Sequence, residues 1–247
     1  MTRPAQARTT DAWESLRLHT PARIGLGRTG NAISTREVLE LGAAHAAARD
    51  AVHDPLDVGD LSTQLRRLGI GEPLVVTSAA RSRPEYLRRP DLGRRPAAGL
   101  GKTETEHDLA LVVVDGLSPR AVQLHAVPLL EALLTRIESL VVAPPTVAVQ
   151  GRVALGDHVG AAHRARHVLV LVGERPGLSS TDSLGAYLTH SPRPGLSDSA
   201  RNCVSNIRPP GGLSYDQASR TIADLLHRSR AMGATGVALK DESALGM

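Results

Sequence analysis

The sequence predicts an α/β fold, a mostly parallel sheet with flanking helices, preceded by a helical N-terminal segment. Three observations carry this. Short runs at Leu74 to Thr77, Leu109 to Val114, Thr146 to Val149 and His167 to Val172 are apolar almost throughout, as strands covered on both faces must be. Helix-length stretches separate the last three of them, which is the spacing of a βαβ unit with its right-handed crossover. After the last run, residues 173–213 hold six Gly and five Pro and no sustained helical period. So long an irregular stretch beyond a buried strand is where such folds keep ligands.

Each element has a local reason. Thr10 to Leu18 reads as a short helix. Ser34 and Glu37 form a capping-box pair, and Val38, Leu41, His45, Ala48 and Val52 follow at helical spacing as far as Asp54-Pro55. A shorter helix over Val58 to Leu68 stops at Gly69 and Gly71. After the first strand, residues 81–95 (RSRPEYLRRPDLGRR) and 97–108 read as a surface connection. Ser118 and Pro119 supply the cap and first turn of a helix running toward Leu140, kinked at Pro128. Leu155 to Arg166 is a further helix. Within the irregular stretch, Leu184 to Leu188 is a hidden strand. Ser214 and Gln217 cap the last helix, which carries Ala218, Ile222, Leu225 and Leu226 on one face. Gly236 to Lys240 is a candidate closing strand. The division falls near residue 70, with a helical segment over 1–70 and an α/β domain over 71–247.

A chain of 247 residues that is 41% hydrophobic buries a substantial core without disulfides or metals. Cys203 is the only cysteine, so no intrachain disulfide forms. No apolar run approaches the roughly 20 residues of a membrane span, and the first residues lack the apolar centre of a secretory signal. The expectation is a cytoplasmic protein without membrane contact. Net charge is +4, and the two Lys and 27 Arg are scattered or sit beside acids. With 2% aromatic residues and no Phe, little is available for stacking on bases, so no nucleic-acid partner is expected. Arg suits rigid protein interfaces at least as well.

Several patterns invite chemistry. Gly25 to Gly30 (GLGRTG) has the letters of a dinucleotide fingerprint but lacks a preceding strand and an immediate helix. It reads as a glycine-rich turn. Asp157, His158, His163 and His167 suggest a metal, yet the two histidines four apart fall on a helix and the next strand and need not share a face. Asp115, Ser118 and His125 could be forced into a triad, although Ser118 is better explained as a helix cap. Cys203 has arginines but no histidine close in sequence, which weakens it as a nucleophile. Glu174 follows the LVLVG strand directly, and Arg175-Pro176-Gly177 keeps the backbone out of a helix. A carboxylate there faces the ligand crevice of a parallel sheet; a salt bridge to Arg175 is the competing explanation. Val153, read as ending the neighbouring strand, would line the same crevice.

Five blocks in one order carry a resemblance: RPDLGRR (89–95), DGLSPRAVQLHAVPLL (115–130), GRVALGDHVG (151–160), VGERPGLSSTDSLGAYLTH (172–190) and RNCVSNIRPPGGLSYDQA (201–218). From about Arg23 to Asp241 the chain closely resembles the small (light) subunit of ethanolamine ammonia-lyase. The resemblance implies a Rossmann-like domain that helps bind adenosylcobalamin at the interface with a large catalytic subunit, in a hetero-oligomer converting ethanolamine to acetaldehyde and ammonia. It assigns cofactor-binding positions to Val153, Glu174 and Cys203, no catalytic residue and no metal ligand to this chain, and the substrate site to the large subunit. No Asp-x-His-x-x-Gly signature occurs, as Asp157 and His158 are adjacent, so the cobalamin is expected base-on, with its dimethylbenzimidazole on cobalt. Some relatives carry a long N-terminal extension associated with a bacterial microcompartment, whereas about twenty residues precede the matching region here. The competing reading is a stand-alone α/β module for a nucleotide-like ligand, and a weaker one is a hydrolase using Ser118 or Cys203.

Overall fold

A computed structural model describes residues 13–240. The elements run α1 (Glu14–Arg17), β1 (Arg28–Thr29), β2 (Ala32–Ile33), α2 (Thr35–His53), α3 (Val58–Arg66), β3 (Leu74–Thr77), α4 (Arg83–Arg88), β4 (His107–Val114), α5 (Pro119–Leu134), β5 (Thr146–Val149), α6 (Leu155–Ala162), β6 (Ala165–Gly173), β7 (Leu184–His190), β8 (Arg201–Ile207) and α7 (Tyr215–Met232). Six strands form one sheet in the order β3-β5-β4-β6-β7-β8. Its first four strands are parallel, and β7 and β8 add in antiparallel fashion. The predicted α/β class with a mostly parallel sheet is the observed one.

Alternation along the strands divides the core. Leu109, Leu111 and Val113 of β4 and Leu169 and Leu171 of β6 face the helices α3, α5 and α7, where Leu61, Leu65, Leu130, Ile222 and Leu226 meet them. The intervening Ala110, Val112, Val168 and Val170 face α6 through Leu155 and Val159. Smaller residues on this side let α6 lie close to the sheet. A Cβ on Gly156 would stand 2.2 Å from Val170 Cγ2, and one on Gly160 would stand 2.5 Å from Pro192 Cγ. The helix is also bolted down by a buried ion pair. Both nitrogens of the Arg201 fork on β8 reach the Asp157 carboxylate at 2.7 Å, and Thr189 Oγ1 accepts a further bond at 3.0 Å.

Helix starts follow their caps. Ser34, Ser82, Ser118 and Ser214 each accept a backbone N–H from the first turn, and Gln217 completes a capping box with Ser214. Pro128 lies inside α5, as expected, but that helix ends at Leu134 rather than near Leu140. The expected helix over Thr10 to Leu18 is observed as Glu14–Arg17, its first residues lying outside the described ones. Gly25 to Gly30 leads into the β1–β2 hairpin, so it is the glycine-rich turn.

Three readings are corrected. The irregular stretch hides two strands, since β8 pairs along β7 from Arg201 to Ile207. Gly236 to Lys240 is not a strand. Gly236 sits at φ 76°, its N–H donates to the Asn202 side chain, and Gly236–Ala238 forms a 3-10 turn. The 81–95 segment is more than a surface connection: it forms α4 and a 3-10 turn, Leu92–Arg94, and buries Tyr86 fully.

Candidate functional site

The carboxyl ends of β4, β5 and β6 are fastened to one another by backbone contacts that only particular residues permit. Asp115, directly after β4, is buried and accepts the N–H of Gln150 at 2.8 Å and of Gly151 at 3.0 Å, which ties the end of β4 to the loop after β5. Burial pushes its carboxyl upward, against the pull of these backbone donors and of Arg83 at 3.4 Å. Gly116 adopts φ 57° and approaches the end of β6, where a Cβ would lie 2.3 Å from the Gly173 carbonyl. Ser118 caps α5 and donates to the Thr181 carbonyl at 2.7 Å, which pins the loop between β6 and β7.

These contacts leave a cleft of about 430 Å³ at the strand ends. Val153 and Glu174 both line it, together with Tyr86, Arg152, Arg175 and Tyr187. Glu174 takes its position from the first turn of the loop: its N–H donates to the Ser183 carbonyl, and its Oε2 accepts from the Ser183 hydroxyl and from the Asn206 N–H at 3.2 Å. It forms no ion pair with Arg175, so that competing explanation is set aside. Oε1 carries no hydrogen bond among the described residues. Gly185 makes room for it, because a Cβ there would stand 3.0 Å from that oxygen.

Arg152 and Arg83 both lie over the Tyr86 ring, their guanidinium carbons 4.4 and 4.8 Å from its centroid. The ring is held in turn by its hydroxyl, which donates to the Gly151 carbonyl at 3.0 Å. Burial raises the Tyr86 hydroxyl to about 12, so it remains a donor at neutral pH. Arg152 Nε is buried without a hydrogen-bond partner. Such an atom is costly unless a ligand supplies an acceptor.

Two sequence placements need correction. Val153 does not end β5, which stops at Val149; it lies in the turn that enters α6, and reaches the cleft from there. Cys203 is not in a loop but in the middle of β8, paired with Tyr187 of β7. It is exposed on the sheet face beyond Tyr187 and does not line the cleft itself. Contact with Tyr187 links it to the cleft. Partial desolvation of the thiol by its neighbours on the sheet raises its pKa and the Glu174 charge adds to this, against the opposing Tyr187 hydroxyl, so the sulfur stays protonated at neutral pH. That is the wrong state for a nucleophile.

The other chemical readings lack geometry. Ser118 is occupied as a cap, Asp115 bonds the β5 loop, and His125 Nδ1 pairs with the Tyr215 hydroxyl at 2.8 Å, so no triad forms. Asp157 is spent on Arg201, His163 lies near Thr146, and His167 bonds Ser229. Among the described residues no group of three His, Cys, Asp or Glu could hold a metal ion. Nor is any of their helices long and apolar enough to cross a membrane.

Residues 10–240 match the family model described as ethanolamine ammonia-lyase light chain. The chain is 51% identical over 239 residues to the ethanolamine ammonia-lyase small subunit of Rhodococcus erythropolis, an alignment that covers 96% of this chain and 93% of the relative. It is 49% identical to that of Azotobacter vinelandii, over 95% and 90% of the two chains, and 48% identical to that of Rhodopseudomonas palustris, over 99% and 95%.

Proposed function

This chain belongs to the ethanolamine ammonia-lyase light-chain family, and from that premise we propose that it binds one edge of adenosylcobalamin in the cleft at the ends of β4 and β6. It acts as the small subunit of a carbon–nitrogen lyase, in a complex with a large subunit. The large subunit supplies the substrate site, and the complex converts ethanolamine to acetaldehyde and ammonia. We assign the complex to the cytoplasm, with enclosure in a bacterial microcompartment as a further setting. The helical segment before residue 70 and the Rossmann-like domain after it are the two units of this reading.

One observation carries it: Val153 and Glu174, 21 positions apart in sequence, line a single cleft, and Tyr187 joins that cleft to Cys203. The residues present suit a corrin. Its rim bears amides, which both donate and accept hydrogen bonds. The free Oε1 of Glu174 takes an amide N–H, and the unpartnered Nε of Arg152 donates to an amide oxygen. Val153 and Tyr187 offer apolar surface beside them. No histidine lines the cleft, which supports a cofactor that keeps its own base on cobalt. A cleft of about 430 Å³ is too small to enclose a whole cobalamin, which leaves the remainder for a second chain to cover.

When bound, adenosylcobalamin supplies an adenosyl radical by homolysis of its cobalt–carbon bond. The residues of this chain orient and shield. Glu174 fixes the rim by a polar contact in a half-buried setting, Tyr86 and Arg152 form a rigid wall, and the protonated Cys203 thiol presents a small neutral surface.

The test is cobalamin titration into the two-subunit complex carrying Glu174→Ala, followed by absorbance of the bound cofactor. Loss of a buried polar contact is expected to cost about 1–3 kcal/mol of affinity. Unchanged affinity with an intact complex overturns the assignment of Glu174.

A further inference from the structure

A second cavity is separate from this cleft. It measures about 760 Å³ and opens at the carboxyl ends of the other two parallel strands, β3 and β5. Thr77, Val149 and Gln150 form its floor. One wall is built by the chain turning back on itself: Ala79 N–H donates to the Arg95 carbonyl and Ala97 N–H to the Thr77 carbonyl, both at 2.9 Å, so residues 95–97 run antiparallel beside the end of β3. The other wall is the end of α4. Tyr86 of the same helix faces the first cleft, which makes α4 the partition between the two.

Three guanidinium groups line this cavity, from Arg81, Arg89 and Arg95. Arg89 is spent on Asp91, which it meets through two bonds at 2.9 and 2.8 Å. Neither Arg81 nor Arg95 forms an ion pair among the described residues. The lone acid of the lining, Glu85, accepts the Arg81 backbone N–H at 2.7 Å and pairs with neither of those side chains, while Asp91, already held by Arg89, lies near enough to Arg95 to feel its charge. Ser78, buried at the floor, accepts the Ala80 N–H at 3.2 Å and retains its own proton to donate. The Gln150 side-chain oxygen is buried with no partner.

We propose that this second cavity binds the phosphate ester of a ribose, through Arg81 and Arg95, with the Gln150 oxygen accepting a ligand hydroxyl or amide. Two uncommitted guanidinium groups beside a hydroxyl donor match a phosphate. An orphan acceptor matches no anion, so the ligand must carry a donor beside its charge. A ribose phosphate has both. The volume falls within the ordinary range for a small-molecule site, and the place is the strand-end edge where α/β sheets take nucleotides. Nothing in this argument depends on the cobalamin reading. The ester could belong to a free nucleotide or to the ribose-phosphate tail of a cobalamin held next door.

The test uses the full chain and its complex with the large subunit. Calorimetry with adenosine 5′-monophosphate, ribose 5-phosphate and inorganic phosphate is run on the native chain, on Arg81→Ala combined with Arg95→Ala, and on Gln150→Leu. Both arginines are exposed, so the double variant is expected to fold. In parallel, cobalamin and cobinamide, the corrin without its nucleotide tail, are titrated into the complex. Loss of about tenfold or more in nucleotide affinity in the double variant, with cobalamin unaffected, identifies a separate nucleotide. A similar loss for cobalamin but not for cobinamide identifies the tail. Gln150→Leu is expected to weaken the ribose esters and spare inorganic phosphate. The proposal is overturned if neither nucleotide nor cobalamin affinity moves by more than about twofold in the double variant, or if that variant instead weakens only association of the subunits. Glu174→Gln serves as the control: a cobalamin defect there, with neither nucleotide nor cobalamin affinity moved in the arginine variant, would leave the first cleft standing and remove the second.

Discussion

On the side of the sheet covered by α3, α5 and α7, the strands present Leu109, Leu111, Leu169, Leu171, Leu184 and Leu188, and the helices answer with leucines of their own. On the opposite side they present Ala110, Val112, Val114, Val168 and Val170, and α6 crosses them at close range through glycines. Past α6 that second side carries Gly185, a half-buried Tyr187 and an exposed Cys203. The first side holds the chain together by burying large apolar area. The second has given up area, and what it gains is a floor shaped by small residues and fixed polar contacts. The proposed recognition cleft lies where the core is thinnest.

The difference can be tested from its strongest link downward. Asp157→Asn leaves the Arg201 guanidinium, 1% exposed, without its buried counter-charge and with only the exposed Asp198 at 3.3 Å, and is expected to destabilise the chain by about 3–5 kcal/mol in urea unfolding. A loss under about 1 kcal/mol would show that the second side does not depend on that pair. Leu130→Ala, under the leucine-rich side, is expected to cost about 2–5 kcal/mol, with no change in cofactor affinity of the folded complex. Acid should also discriminate. His167 is buried, and burial, then the neighbouring His190 charge, depresses its pKa to about 4 from 6.5. The unfolded chain therefore takes up this proton first, and stability that is whole above about pH 6.5 declines as pH falls toward about 4, by on the order of 1–3 kcal/mol. Urea midpoints measured across that window should fall in the native chain and flatten in His167→Gln. At the small end, Glu174→Gln and Cys203→Ser are expected to shift the unfolding midpoint by no more than about 0.5 kcal/mol. A large loss from either would make those residues part of the scaffold.

Much of this was legible in residues alone. β3 and β5 fall where their apolar runs fall, and Glu174 was placed correctly because a strand ending in Gly-Glu-Arg-Pro has only one way to continue. β8 was not legible. Its sequence, RNCVSNI, lies between Pro-rich turns and alternates buried Arg201, Val204 and Ile207 with exposed polar residues, so only pairing with β7 makes it a strand. Cys203 was misplaced for that reason. Val153 was assigned to a strand end because the five irregular residues between β5 and α6 leave no periodic mark. Tyr187 escaped notice altogether, although the alternation of Gly185 and Tyr187 along β7 was the available signal. The 89–95 arginines were read as surface, since local sequence cannot reveal that residues 95–97 turn back onto β3.

Two hydrogen atoms set the height of the step on which Val153 stands. Gly156 and Gly160 let α6 settle against the valines below it, and the turn holding Val153 is the first thing that this helix would carry with it if it rose. A methyl group added at either position acts as a shim: it never touches a ligand, yet it lifts one lip of the cleft while Glu174, anchored to Ser183 and Asn206, stays where it is. Grip on a flat ring could thus be tuned by changes well behind the surface that does the gripping.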